Sequence, residues 1–218
     1  MFNRALRVCL GLLLVLASAA RADEPVRTIL FYGDSLTAGY GLDDPPTQSY
    51  PALIQEKIKA AGYGYEAVNA GLSGDTTAGG LNRIAWALRR PADKPVDILF
   101  LELGGNDGLR GLPVDEAQRN LQGIIDKTRA KYPDARVVIA GMQIPPNFGP
   151  EYVERFKAMY GELAKANPGA TLLPFLLDGV GGDESLNQKD QIHPTAEGHR
   201  KVAEGVWPVL EPLLKARP

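Results

Sequence analysis

Cysteine is almost missing from the 218-residue chain, and the only one, Cys9, lies near its start. A disulfide framework is thereby excluded, and so is a thiolate nucleophile in any product that loses that start. Histidine is nearly as scarce, with His193 and His199 alone. Two imidazoles and no other thiol make a zinc cluster untenable unless carboxylates supply most of the ligands, so no metal and no cofactor is expected. There is no G-x-x-x-x-G-K-[ST] phosphate loop and no G-x-S-x-G elbow, and Gly179-Val180-Gly181-Gly182 is too weak for a dinucleotide loop. Blocks of like charge are absent too. A nucleic-acid partner, which would concentrate Lys and Arg on one face, is not indicated.

The longest apolar run, from Val8 to Leu16, is too short for a membrane span, which needs roughly 20 residues. It follows Arg4 and Arg7 and leads to Ala20-Arg21-Ala22, the layout of a secretory signal peptide with an A-x-A cleavage site. The small residues that a lipoprotein site needs before Cys9 are not there. Residues 1–22 are therefore expected to be a leader, and residues 23–218 one soluble, exported domain, periplasmic or secreted, with no stable membrane insertion. The leader would take three of the 24 basic side chains, leaving 21 against 26 acidic ones. Oligomeric state is not written in the sequence, and a monomer is the default.

Short apolar runs alternate with longer amphipathic ones. Candidate strands cover 28–32, 66–70, 96–101, 136–141 and 171–175. Each is rich in Val, Ile, Leu or aromatics and bounded by turn formers, as buried strands are. Helical patterns cover 51–61, 76–88, 115–132, 150–166 and 195–215, the last expected to bend or end early at Pro208. Leu121, Ile124 and Ile125 have the i, i+3, i+4 spacing of a core-facing stripe. Strand then helix, repeated five times, predicts an α/β fold with a five-stranded parallel sheet between two helical layers.

In such a sheet ligands bind beyond the carboxyl ends of the strands. The polar turns there are Gly33-Asp34-Ser35-Leu36, Gly71-Leu72-Ser73-Gly74-Asp75 and Gly104-Gly105-Asn106-Asp107, with Asp190-Gln191-Ile192-His193-Pro194 just before the last helix. A serine becomes a nucleophile when an imidazole can take its proton. Of the two histidines, His193 has Asp190 three residues upstream and a stiffening Pro194, whereas His199 falls inside the predicted helix, where a solvent-facing position is the ordinary expectation. Each block also has a plain structural reading. Gly-Asp-Ser is a common helix start, Gly104 and Gly105 permit a tight turn, Asn106 can cap a helix, and Asp190 can be a loop residue without a partner. Asp34, Asp75 and Asp107 are expected to hold loop backbones by accepting amide hydrogen bonds, and Trp86 and Trp207 to serve packing.

Four ordered blocks together resemble the GDSL or SGNH hydrolases. They are residues 31–40 (Phe31 to Tyr40), 69–77 (Asn69 to Thr77), 101–111 (Leu101 to Gly111) and 190–194 (Asp190 to Pro194). The Glu102-Leu103-Gly104-Gly105-Asn106-Asp107-Gly108-Leu109-Arg110-Gly111 run is most similar to the periplasmic thioesterase I/lysophospholipase and arylesterase group. The resemblance implies a flavodoxin-like fold. It implies Ser35 as nucleophile, His193 as general base and then acid, and Asp190 as the residue that orients His193. It also implies an oxyanion hole formed by the backbone N–H groups of Ser35 and Gly74 and the side-chain amide of Asn106. Met142, Ile144, Pro145 and Phe148 match a loop that lines the acyl site. Gln191 departs from the common D-G-I-H form. The implied substrate is a small-molecule ester or thioester carrying a fatty acyl or aryl group. A sugar O-deacetylase, or a non-catalytic acyl-ligand binder on the same fold, are the competing readings.

Overall fold

The computed structural model describes residues 26–89 and 94–215, so the proposed leader lies outside the described residues. Five strands form one parallel sheet: β1 (Arg27–Gly33), β2 (Tyr65–Asn69), β3 (Val96–Glu102), β4 (Arg136–Ala140) and β5 (Thr171–Leu173). Their order is β2-β1-β3-β4-β5, every pair parallel. β1 and β3 pair on both sides, and their Ile29, Leu30, Phe31, Ile98, Leu99 and Phe100 are fully buried. That is why both read as unbroken apolar runs rather than alternating ones.

Among the described residues, eight helices connect and cover the strands: α1 (Ser35–Ala38), α2 (Pro45–Gln48), α3 (Tyr50–Ala60), α4 (Thr77–Ala87), α5 (Gly105–Leu109), α6 (Val114–Lys131), α7 (Pro150–Ala166) and α8 (Ala196–Lys215). The five long ones correspond to the predicted helices. α1, α2 and α5 did not register as periodic patterns, because four or five residues complete little more than one turn. The stripe in α6 is as expected, with Leu121, Ile124 and Ile125 buried.

Two expectations are corrected. Helix α8 does not end at Pro208; it continues through Pro208 and Pro212 to Lys215. A proline inside a helix forfeits one hydrogen bond, but Val206, Leu210 and Leu214 on either side of Pro208 and Pro212 are all buried in the core and hold the helix in place. His199 does not face solvent either. It is 1% exposed in the first turns of α8, its Nδ1 accepts the backbone N–H of Tyr50 at 3.2 Å, and its ring stacks on that of Tyr50. Burial, helped by the nearby His193, lowers its pKa to about 4 and keeps it neutral.

The sheet order reverses direction at β1: the chain moves outward to β2, then returns past β1 to β3 and beyond. The crevice at that switch point, at the carboxyl ends of β1 and β3, is where this architecture leaves room for a ligand.

Candidate active site

Ser35 is the first residue of α1, directly beyond β1. Asp34 caps the turn, its Oδ1 accepting the Leu36 N–H at 3.0 Å. Ser35 is nearly buried, yet its side chain borders a cavity of about 430 Å³. His193 arrives from the loop before α8, 158 residues away in sequence, and its Nε2 lies 2.9 Å from Ser35 Oγ. On the other side of the ring, Nδ1 lies 2.7 Å from Asp190 Oδ2. With a proton on Nδ1 donated to Asp190, Nε2 is free to accept the Ser35 hydroxyl proton, which is the arrangement a serine nucleophile needs. Asp190 Oδ1 also accepts the backbone N–H groups of Ile192 and His193, both at 3.0 Å. Partial burial pushes the Asp190 carboxyl up, but the hydrogen bonds from His193 and Ile192 outweigh it and hold the pKa at about 2.

Asn106 stands in the first turn of α5, just beyond β3. Its Nδ2 donates to Asp34 Oδ2 at 3.0 Å, and its Oδ1 lies 3.5 Å from Arg110 Nη2. Nitrogen toward Asp34 and oxygen toward Arg110 fix the sense of the amide and leave its second N–H proton uncommitted by these contacts. The same Arg110 nitrogen donates to the Gly74 carbonyl at 3.1 Å. Gly74 itself is exposed at φ 79°, and the turn around it is closed by Asp75 N–H on the Leu72 carbonyl rather than by the Gly74 amide. Gly104 precedes α5 at φ 116°, and a Cβ there would lie 2.4 Å from the Tyr160 hydroxyl. Only glycine lets the chain turn this sharply against Tyr160.

The other two loop aspartates divide. Asp107 accepts the Thr77 backbone N–H at 2.8 Å and the Thr77 hydroxyl at 2.6 Å, tying α5 to α4. Asp75 instead pairs with Arg83 at 2.6 Å, and the same guanidinium donates to the Ala70 and Gly33 carbonyls. The loops after β1 and β2 are thus fastened by one arginine.

Beneath these loops, Glu102 is fully buried at the end of β3. Its Oε2 accepts the Asp34 N–H at 3.2 Å and the Thr37 hydroxyl at 2.7 Å, while Oε1 has no partner. Burial, with the Asp34 charge close by, pushes its pKa well above the ordinary carboxylate range. Burial also raises the Asp34 carboxyl, to about 6, against the Leu36 and Asn106 donors that favour its charged form.

Met142, Ile144 and Pro145 line the cavity beside Ser35, together with Leu36, Leu109 and Phe175. Phe148 does not. It lies in the adjacent open groove with Pro150 and Tyr152, because the chain turns away through a 3₁₀ segment at Pro146–Phe148. Among the described residues no cluster of His, Cys, Asp and Glu could hold a metal ion. Sequence reasoning passed over Glu102, Arg110 and Arg83. The first two lie inside the Glu102–Gly111 run without a role there, and Arg83 is an ordinary helix residue whose partners Asp75, Ala70 and Gly33 lie outside its helix.

A family model for the GDSL-like Lipase/Acylhydrolase family matches residues 31–201, a stretch that takes in all four blocks. The chain belongs to that family. It is 44% identical to Esterase TesA of Pseudomonas aeruginosa over 206 residues, covering 94% of this chain and 96% of the relative. Thioesterase 1/protease 1/lysophospholipase L1 of Escherichia coli K12 is 35% identical over 205 residues, covering 94% of this chain and 91% of the relative. Among solved structures, the psychrotrophic esterase EstA from Pseudoalteromonas sp., inhibited by monoethylphosphonate, superposes with a TM-score of 0.78 at 30% identity, over 87% of this chain and 99% of that one.

Proposed function

We propose that this acylhydrolase is an exported serine esterase that takes the acyl group of carboxylic esters and thioesters onto Ser35 and passes it to water. One observation carries the reading: Ser35 Oγ, His193 Nε2 and Asp190 Oδ2 stand in series at 2.9 and 2.7 Å beside an apolar-walled cavity.

As Ser35 Oγ attacks the substrate carbonyl carbon, His193 Nε2 removes its proton. The carbonyl oxygen becomes an oxyanion and is held by the Ser35 and Gly74 backbone N–H groups and the free Nδ2 proton of Asn106. Collapse of this tetrahedral intermediate expels the alcohol or thiol, which leaves with the proton from His193. Water then enters, gives a proton to His193, and attacks the acyl-enzyme; the second collapse frees the carboxylic acid and returns the proton to Ser35. Asp190 stays ionised throughout and stabilises the transient imidazolium.

Met142, Ile144, Pro145, Leu36 and Phe175 give the cavity an apolar wall, which suits a fatty acyl or aryl group better than an acetyl group on a sugar. The names of the relatives, an esterase and a thioesterase/lysophospholipase, point the same way. Export rests on the leader-like residues 1–22, and no described helix is long and apolar enough to cross a membrane.

A fluorophosphonate probe tests the assignment, since it reacts with an activated serine and imitates the tetrahedral intermediate. Labelling should map to Ser35 and vanish in Ser35→Ala, which should remain folded and lose at least about 10⁴-fold in turnover of a p-nitrophenyl ester. A Ser35→Ala protein with full turnover would end the proposal.

A further inference from the structure

Among the described residues, every hydrogen-bond partner of the Asp190 carboxylate belongs to the loop that carries Asp190 itself, namely Ile192 and His193. Asp190 therefore sets the orientation of the imidazole within its own loop. It cannot set how far that loop stands from Ser35. A hydroxyl and its base must approach within about 3.2 Å, and a displacement near 1 Å costs on the order of 10²-fold. Some other contact has to fix the gap.

Gln188 is placed to do so. Its backbone N–H donates to the His193 carbonyl at 2.7 Å, and its carbonyl accepts from Gln191, so the turn is closed around it. Gln191 adopts φ 58°, the only described non-glycine residue with positive φ, which shows how tightly this turn is wound. Both amide protons of Gln188 Nε2 are committed: one to the Pro194 carbonyl at 3.0 Å, the other to the Tyr40 carbonyl at 2.8 Å. The second bond leaves the loop and reaches the Ser35 turn. Tyr40 in turn donates its backbone N–H to the Ser35 carbonyl at 3.0 Å. Its ring, 53% exposed, lies on the His193 ring with centroids 4.7 Å apart. Gly41 completes the seat. At φ 76°, with any Cβ only 2.1 Å from Gln188 Oε1, it is the residue that lets the glutamine approach.

The chain Ser35–Tyr40–Gln188–His193 is thus a closed circuit of hydrogen bonds whose last link is Ser35 Oγ to His193 Nε2. We propose that Gln188 is a positioning residue for acyl transfer, its side-chain amide fastening the His193 loop to the Ser35 turn so that base and nucleophile stay in register. Tyr40 serves as the receiving carbonyl and as a roof over the imidazole.

The proposal rests on the assignment of Ser35 and His193 above, and the experiment separates the two. Turnover of a p-nitrophenyl ester is measured for Gln188→Ala and for Gln188→Met, which keeps the length and apolar stem but has no donor. Both are made also in a His193→Ala background, with Ser35→Ala as control and thermal melts throughout. In the wild-type background kcat should fall about 10- to 50-fold with KM within about 2-fold, because the amide acts on the geometry of the reacting pair. In the His193→Ala background the same substitutions should change the residual rate less than about 2-fold, since the distance they disturb no longer matters. Equal losses in both backgrounds would mean a merely structural role, and kcat within 2-fold of wild type would sink the inference outright. Ser35→Ala separates the cases: an inactive Ser35→Ala beside a fully active Gln188 variant refutes only the positioning role, whereas an active Ser35→Ala refutes the assignment beneath it. Should Gln188→Ala fail to fold, Gln188→Met decides.

Discussion

At the edge where the strands begin, Asp97 of β3 is buried against Arg136 of β4, and Tyr65 of β2 donates its hydroxyl to the same carboxylate at 2.9 Å. At the edge where they end, Asp34 and Glu102 are just as buried, yet among the described residues neither pairs with a Lys or Arg. The first edge neutralises its buried charge with a cation and ties three strands together. The second leaves its carboxyls facing N–H and O–H donors, at raised pKa, and those donors belong to the turns that carry Ser35 and Asn106. Burying a carboxyl without a cation costs free energy. A fold tolerates that cost more readily where the groups so arranged position a site, and the contrast separates a structural edge from the edge that carries the proposed site.

Asn106→Ala should produce the largest difference between the edges. If the amide holds an oxyanion, kcat falls about 10²–10³-fold with KM nearly unchanged, about 3–4 kcal/mol lost from the transition state alone. Stability should fall by about 1.5–3 kcal/mol, the worth of one lost hydrogen bond to the buried Asp34 carboxylate. Steady-state kinetics alongside urea melts check both halves. A rise in KM with kcat intact would instead make Asn106 a substrate-binding residue.

How much of this contrast was legible in the sequence follows from how local each signal is. All five strands and all five long helices were, because periodicity and punctuation are properties of neighbouring residues. So were the Ser35, Asn106, Asp190 and His193 blocks, each a turn directly beyond a strand or before a helix. His199 was misread because its burial depends on Tyr50, 149 residues away. Phe148 was placed with its neighbours in the chain, but the 3₁₀ turn after Pro145 carries it out of the cavity. The Gln188–Tyr40 bond, 148 residues apart in sequence, left no trace in any local pattern.

Asp97→Asn applies the opposite test. Removing the charge strands Arg136 beside a neutral amide, so stability should drop by about 2–3 kcal/mol, less than a fully buried broken pair costs because the arginine keeps some solvent contact. Turnover should stay within about 2-fold, since no reacting group touches that edge. Equilibrium unfolding and ester kinetics on one preparation give both numbers, and a matching loss of kcat would erase the distinction between the edges.

Glu102→Gln is the same chemical change at the other edge and should have the smallest effect. Burial and the neighbouring Asp34 charge push the Glu102 pKa well up, which favours its uncharged form. A glutamine can keep one oxygen where Oε2 accepts from Asp34 N–H and Thr37 Oγ1, and put its amide nitrogen where Oε1 now stands alone. Stability near neutral pH should therefore change by less than about 1 kcal/mol. The pH dependence gives the sharper reading. A carboxyl whose folded pKa lies above its unfolded value, near about 4.3, binds more protons in the folded state. Its contribution is full below that unfolded value and is lost as pH rises toward the folded one. Wild type should thus lose stability with rising pH over that window, through Glu102 and also through Asp34 between its ordinary range and about 6. The glutamine variant should lose less, because one of the two carboxyls no longer titrates. Urea unfolding at a series of pH values from 5 to 9 measures the slopes. A steeper decline in the variant would mean that Glu102 is ionised and cation-compensated after all, and the two edges would then treat their buried acids alike.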